Sequence, residues 1–339
     1  HTCFNSYGNL LDILGDLGML ERLTPKEKLR YYLWAEARRK SVFSALHPLE
    51  RALSLPRLVT GKKAGRRVAD VYGAGLGRKN YRDLFGPAFS AVICQSADDF
   101  PADLLFRRKP RRKDIVRAFT LPGGLSDIPR AIAEQRGLQL RTGQAVVALH
   151  RRNGEGFRIQ LGDGGELACD YLTLAVPPDV AAALLRPDLE ELAELAGRIE
   201  IAEVESLTVA IAAEHLAHLP PMAGLIAVDD AFYSMVSRDY LTDGTYRGFT
   251  FHFRPGTLNR DGQFERVCRT LGIGEERIAS KAWVPNRLPA LRAGHQDLVS
   301  RIDASLAGTR LAITGNWFLG VSIEDCLTRS RQQCERLFG

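Results

Sequence analysis

The segment that most restricts what this chain can fold into runs from Leu311 to Leu337. Leu311-Ala312-Ile313-Thr314 is a short apolar run, Gly315 follows at once, and a loop ending in Gly320-Val321 leads to a helical stretch expected over Ile323–Leu337. Ser322-Ile323-Glu324-Asp325 has the form of a capping box, with Asp in the reciprocal position. Glu324 and Asp325 in the first turn, and Arg329, Arg331 and Arg336 further along, suit the helix dipole. A buried strand that turns through glycine into a capped helix is an α/β unit, and its helix start offers backbone N–H groups to an electron-rich ligand. Such turns are common in α/β proteins, so this one sets the fold class and leaves the ligand open.

The rest of the chain reads as a mixture. Leu10, Leu11, Ile13, Leu14, Leu17 and Leu20 have the spacing of one buried helix face. Thr24-Pro25-Lys26-Glu27 has the signals of a second helix start, expected to run toward Leu46 and stop before Pro48. A third helical stretch is expected within 56–80. Gly123-Gly124-Leu125 precedes a helix at 126–135. Strands are expected at Ala145–Leu149, Phe157–Leu161 and Leu172–Val176, with Gly162-Asp163-Gly164-Gly165 joining the last two and Pro177-Pro178 ending the third. Residues 179–198 read as helix, 201–211 and 246–253 as strands, and 291–306 as helix.

With 339 residues, 45% hydrophobic and 25% charged, the chain is ordinary globular material with length for two domains. No apolar run reaches the roughly 18 residues of a membrane span, and no signal peptide opens it. Cys3, Cys94, Cys169, Cys268, Cys326 and Cys334 form no C-x-x-C pair and read as reduced thiols of a cytoplasmic protein, most simply as small core residues. The net charge of +6 is concentrated at Arg107-Arg108-Lys109-Pro110-Arg111-Arg112-Lys113. That run is a solvated loop, or a surface for anionic headgroups at the inner face of a membrane, or a partner for substrate carboxylates. Nucleic acid is excluded for want of a binding motif or aromatic platform. His215 and His218 stand at i, i+3 but lack a third ligand, so no metal site is expected.

Four segments, in order, resemble the flavin-containing amine oxidase superfamily and within it the protoporphyrinogen oxidase-like branch. They are Phe119-Thr120-Leu121-Pro122-Gly123-Gly124-Leu125; Val146–Leu149 with Asp163-Gly164, Asp170 and Leu174-Ala175-Val176-Pro177-Pro178; Trp283 with Leu288-Pro289 and Gly294-His295; and Gly315-Asn316 with Gly320–Cys326. Leu84–Ser90 is a weaker match. The resemblance implies FAD as cofactor. Val146 would bond the adenine end, Gly315 and Asn316 would lie along the pyrophosphate and ribityl chain, and Val321, Ser322 and Ile323 would sit under the flavin pyrimidine edge, with Gly320 and Trp283 also toward the cofactor. It implies an α/β fold in which a Rossmann-like FAD-binding domain (116–178 and 281–339) interleaves with an α+β substrate domain (helical 1–115, strand-rich 179–280).

The family's opening strand, G-x-G-x-x-G turn and acidic residue have no match here. Gly73-Ala74-Gly75-Leu76-Gly77 does not supply them, because Arg78 stands where the last glycine belongs. The chain begins at His1, and the missing βαβ unit is expected upstream, which predicts weak FAD affinity for these residues alone. Ser330, Gln333 and Cys334 stand where the family has small residues. The implied activity is oxidation of a porphyrinogen by hydride transfer to flavin. No catalytic residue is assigned; Arg247 and Arg254 are candidates for substrate carboxylates and His252 for moving a proton. The alternatives are an isoprenoid desaturase or amine oxidase of the same superfamily, and a flavin-free protein that binds a membrane surface or a partner.

Overall fold

The computed structural model describes residues 2–50, 52–54, 62–152, 156–240 and 244–339. The chain forms two compact units, each assembled from separated stretches. The first comprises the chain up to Lys26, Arg107–Glu200 and Gly294–Gly339; the second comprises Glu27–Phe106 and Ile201–Ala293. These cut points differ from the expected ones, and strand pairing is the reason. With strands numbered β1–β15 in chain order, β1 (Cys3–Phe4) and β2 (Thr24–Pro25) both pair antiparallel with β5 (Ala118–Thr120). The start of the chain is thereby tied to the stretch that follows the basic run.

In the first unit, the Gly8–Asp16 helix buries Leu10, Leu11 and Leu14 with Cys3, Met19, Phe119, Leu121 and Ile128. The helix after Gly123-Gly124 spans Asp127–Ala133. β6 (Val146–Arg151), β7 (Phe157–Leu161) and β8 (Glu166–Cys169) form an antiparallel meander. The Gly162–Gly165 turn therefore leads into β8, a strand the sequence reading passed over, and not directly into the next one. β9 (Leu172–Leu174) pairs in parallel with β15 (Leu311–Ile313), whose three residues are all buried. The expected helix over 179–198 is two helices, Pro178–Leu185 and Glu190–Gly197. Pro187 accounts for the break, because it lacks an N–H and disfavours helical geometry in the residue before it. The His295–Leu306 and Ile323–Phe338 helices complete the unit.

The second unit is built on a seven-stranded sheet of order β14-β10-β13-β12-β11-β3-β4. β10 (Glu200–Ala212) and β13 (Tyr246–Phe253) pair antiparallel over eight residues each, Glu205 opposite Phe253 through Ala212 opposite Tyr246. β11 is Gly224–Ala227, β12 is Phe232–Ser237 and β14 is Ile278–Ala290. Alternation along β10 and β13 sends Leu207, Val209, Ile211, Phe249, Phe251 and Phe253 to the face covered by the Arg260–Leu271 helix. Each of those buried Phe side chains contributes about 1.5–3 kcal/mol by leaving water. Ser206, Thr208, Thr250 and His252 take the other face.

The helix expected over Thr24–Leu46 is not formed. Thr24-Pro25 is β2, and Tyr31–Ala35 (β3) and Arg38–Ser41 (β4) make a hairpin. Tyr31-Tyr32-Leu33-Trp34 is aromatic, strand-forming material, and it lies parallel to β11 in the sheet. The hairpin turns at Glu36 and Ala37, both with left-handed backbone at φ 53° and 54°. Within the stretch expected to be helical at 56–80, residues 56–61 lie outside the described residues and Val68–Leu76 is helical. Gly73 and Gly75 are inside that helix and Gly77 (φ 96°) ends it, so these glycines make no strand-to-helix turn.

Candidate functional site

The turn between β15 and the C-terminal helix is held from behind. Gly315 has φ 148° and Gly320 φ 142°; a Cβ on Gly315 would lie 2.8 Å from the Trp317 ring nitrogen, and one on Gly320 would lie 2.7 Å from an Asp325 carboxylate oxygen. Trp317 and Phe318 are buried and stacked, with ring centroids 4.0 Å apart. Trp317 Nε1 donates to the Val176 carbonyl at 3.0 Å, and His295 Nε2 lies 3.1 Å from the Phe318 carbonyl. The guanidinium of buried Arg329 lies 3.9 Å from the Phe318 ring centroid, while its Nε donates to the Ile313 carbonyl. Ser330 bonds Thr314 at 2.8 Å, so the residues larger than the family pattern still keep the helix on the strand end.

The capping box is present. Ser322 Oγ accepts from Asp325 N and an Asp325 oxygen accepts from Ser322 N. Two carboxylates in the first turn help the helix, yet both would repel an electron-rich ligand at the same amides. Each is taken up by another group. Glu324, 5% exposed, accepts from Asn9 N at 3.0 Å, Asn9 Nδ2 at 3.0 Å and Leu10 N at 3.2 Å, so it caps the start of the first helix. Asp325 is neutralised by Lys109, whose ammonium lies 2.6 Å from the carboxylate and 3.3 Å from Ser322 Oγ. Val321 and Ile323 flank the cap and are 37% and 39% exposed. Apolar side chains beside backbone donors, with the local acids neutralised, suit the edge of an isoalloxazine ring, and the residues present therefore fit a flavin.

Gly315, Asn316, Gly320, Val321, Ser322, Ile323 and Val146 all belong to the first unit. Val146 opens β6 and is 43% exposed. Trp283 belongs to the second unit, on β14, with its ring centroid 6.2 Å from that of Phe264; its Nε1 is buried without a partner among the described residues. Sequence reasoning missed Lys109 and Glu324, whose partners lie hundreds of residues away. Within the basic run, Lys109 turns to the cap and Arg112 pairs with Asp114 at 2.5 Å. The run is therefore not one uniform cationic surface.

In the second unit, Arg247 does not present a free guanidinium. It makes five hydrogen bonds, two to Asp239 at 2.8 and 2.7 Å and three to the carbonyls of Leu216, Leu219 and Pro220. That uses all the donors an arginine has, so Arg247 is a brace and is withdrawn as a carboxylate partner. Arg254 donates to the Asp230 carbonyl and its guanidinium lies 4.3 Å from the Tyr233 ring centroid. His252 Nδ1 lies 3.0 Å from Ser206 Oγ, which accepts from Asn286 at 2.9 Å. Ser206 thus links Asn286 to the His252 ring, and its hydroxyl can serve Nδ1 as donor or acceptor. Burial, helped by Arg238, lowers the His252 pKa to about 4, so the ring is neutral at pH 7. Thr208 and Thr250 bond each other beside it at 3.0 Å. The signal for this polar stripe was in the sequence, as alternating Ser206, Thr208 and Thr250, His252 on two strands.

His215 lies near Arg277 and Glu214, and His218 near the Leu271 carbonyl. No cluster of three metal-ligating side chains occurs among the described residues, and no described helix is long and apolar enough to cross a membrane.

This fold is that of the FAD-binding amine oxidase-type proteins, and residues 1–337 match the family described as flavin containing amine oxidoreductase, to which the chain belongs. Among curated proteins it is similar to the protoporphyrinogen oxidase of Bos taurus, 24% identical over 248 residues, which are 65% of this chain and 52% of the relative. The chain thus spans about half the length of that relative. Among solved structures it is similar to a candidate protoporphyrinogen oxidase from Exiguobacterium sp. 255-15 (TM-score 0.77, 15% identity, 98% of this chain and 85% of the other). It is also similar to reduced UDP-galactopyranose mutase (TM-score 0.69, 15% identity, 96% and 81%) and to putrescine oxidase bound to putrescine (TM-score 0.68, 10% identity, 98% and 86%). At such identities these structures share the fold and carry nothing about substrate. FAD is the cofactor of the family.

Proposed function

We propose that the protein acts as an FAD-dependent oxidoreductase and that its substrate is a porphyrinogen, with the turn Gly315–Ile323 receiving the flavin. The observation that carries this reading is the treatment of the two carboxylates at the helix start: Glu324 is drawn to the first helix and Asp325 is matched by Lys109, so the exposed amides stay attractive to electron density. Bound flavin supplies the hydride-accepting chemistry. The protein's own part is to donate backbone N–H groups to the flavin edge, to pack Val321 and Ile323 against it, and to keep Gly315 and Gly320 free of a Cβ. On the substrate side Arg254 is the one of the two arginines that remains for a carboxylate, and neutral His252 is the candidate for moving a proton. The bovine relative's name favours a porphyrinogen over an isoprenoid or an amine. Peripheral contact with an anionic membrane through the exposed Arg108, Arg111 and Lys113 is a subsidiary proposal.

Titration of the protein with FAD, followed by quenching of flavin fluorescence, tests the site at weak as well as tight affinity. Saturable quenching is expected, lost in Gly320→Val and weakened about tenfold in Lys109→Met, which leaves the Asp325 charge uncompensated. No saturable quenching, or equal quenching by Gly320→Val, refutes the reading. Product analysis with porphyrinogen, polyene and amine substrates then decides among the three chemistries.

A further inference from the structure

The second unit contains a cavity of about 240 Å3 whose lining comes from the sheet face under the Arg260–Leu271 helix and from the end of that helix. Six of its lining residues, Trp34, Leu219, Met222, Leu225, Met235 and Leu271, are buried members of the main hydrophobic cluster. The Trp34 ring nitrogen is already bonded to Asp230 at 3.1 Å, so the ring gives the cavity only carbon surface. Two exposed lining residues are Arg39 and Arg269, which mark the mouth. No acidic residue lines the cavity, and neither guanidinium has a carboxylate partner among the described residues. Arg39 is steadied from its other side by the Tyr32 ring, 5.3 Å to the centroid. His218, also at the mouth, lies with Nε2 2.9 Å from the Leu271 carbonyl, to which it donates. Gly272 (φ 69°) completes this edge with bare backbone, where a Cβ would approach His218 to 3.2 Å.

An apolar floor beneath two unpaired guanidiniums is complementary to one kind of small molecule. We propose that this cavity binds an amphiphilic carboxylate, its hydrocarbon chain on the Trp34–Met222–Met235 floor and its head group at Arg39 and Arg269. The size follows from volume: a cavity of about 150 Å3 holds one benzene, so this one holds a chain of roughly eight to ten carbons. Arginine suits the head because it can grip both carboxylate oxygens. The site lies wholly in the second unit and involves none of the residues of the Gly315–Ile323 turn, so it stands or falls independently of the flavin reading.

Octanoate is the probe. Titrated into the protein, it is expected to give saturable heat in calorimetry and a saturable change in tryptophan emission that is lost in Trp34→Phe. Octanol, with a similar chain and no charge, is expected to bind about tenfold more weakly, and Arg39→Gln and Arg269→Gln each to weaken octanoate by about the same factor. Leu225→Trp, which fills the floor, is expected to abolish binding; Met222→Phe serves the same purpose should the larger side chain prevent folding. Absence of saturable heat at millimolar octanoate overturns the proposal. So does equal binding of octanol, or octanoate binding unchanged by both arginine substitutions.

Discussion

Replacing Glu324 tests whether the start of the C-terminal helix and the start of the first helix are held by one charge. The carboxylate is 5% exposed and accepts three N–H bonds, two from the backbone of the Gly8–Asp16 helix and one from Asn9 Nδ2. Bonds to a charged acceptor are worth about 1.5–3 kcal/mol each, and they do not add fully because they share one carboxylate. Removing the acceptor also strands two helix-start amides in a buried setting, at about 1–3 kcal/mol each if water cannot reach them. Glu324→Ala is therefore expected to destabilise the first unit by about 3–4 kcal/mol. Glu324→Gln, which keeps one oxygen but turns an NH2 toward a donor and loses the charge at the helix start, is expected to cost about 2–3 kcal/mol. Asn9→Ala, which keeps both backbone donors but removes the side-chain bonds to Glu324, Thr328 and Arg331, should cost about 1–2 kcal/mol. Urea unfolding followed by tryptophan emission in a Trp34→Phe/Trp283→Phe background reports on the first unit alone, because Trp317 is its single tryptophan. A loss of about 3 kcal/mol corresponds to a fall in Tm of roughly 6–12 °C for a unit of this size. A cost below about 1 kcal/mol for Glu324→Ala would refute the reasoning, since it would mean that the stranded amides are solvated and the carboxylate anchors nothing.

Two further outcomes follow from the second unit. His252 is neutral when folded, with its pKa lowered from 6.5 to about 4, whereas an unfolded histidine binds a proton below about 6.5. The unfolded chain thus holds more protons between these values, and stability falls as pH drops from about 6.5 to about 4, by about 3 kcal/mol in total. His252→Gln should remove that segment of the stability–pH curve, and an unchanged curve would contradict the burial argument. The β3–β4 hairpin turns on two non-glycine residues with positive φ, so Ala37→Gly should stabilise the protein by about 0.5–1 kcal/mol in urea unfolding; a loss of stability would mean that the turn is not strained.

How much of this could be seen in the residues alone depended on the range of the forces involved. β10, β13, β15 and the C-terminal helix were legible because alternation, a glycine stop and a capping box are written within a few neighbouring residues. The Tyr31–Ser41 hairpin was not. Thr24-Pro25-Lys26-Glu27 carries helix-start chemistry, and Glu36-Ala37 has none of the Asn-Gly composition that announces a tight turn. Pairing with β11, nearly two hundred residues later, decides the matter against the local signals. The turn proposed to receive the flavin was singled out by resemblance, but its electrostatics were not legible. Lys109 stood among six basic residues as one charge in a crowd, and only the folded chain sets it on Asp325. Arg247 shows the reverse case: its type suggested a substrate contact, and the carbonyls that occupy it come from a loop whose path no local pattern specifies.

The pairing of the two first-turn carboxylates with distant partners has a consequence for how this family can drift. A substitution at position 325 that removes the acid leaves Lys109 as surplus charge, and one at 109 leaves the acid exposed to the amides it caps. Glu324 and Asn9 are tied in the same way across the length of the chain. Positions 109 and 325, and 9 and 324, should therefore change together among relatives that keep the turn, each pair evolving as a single character.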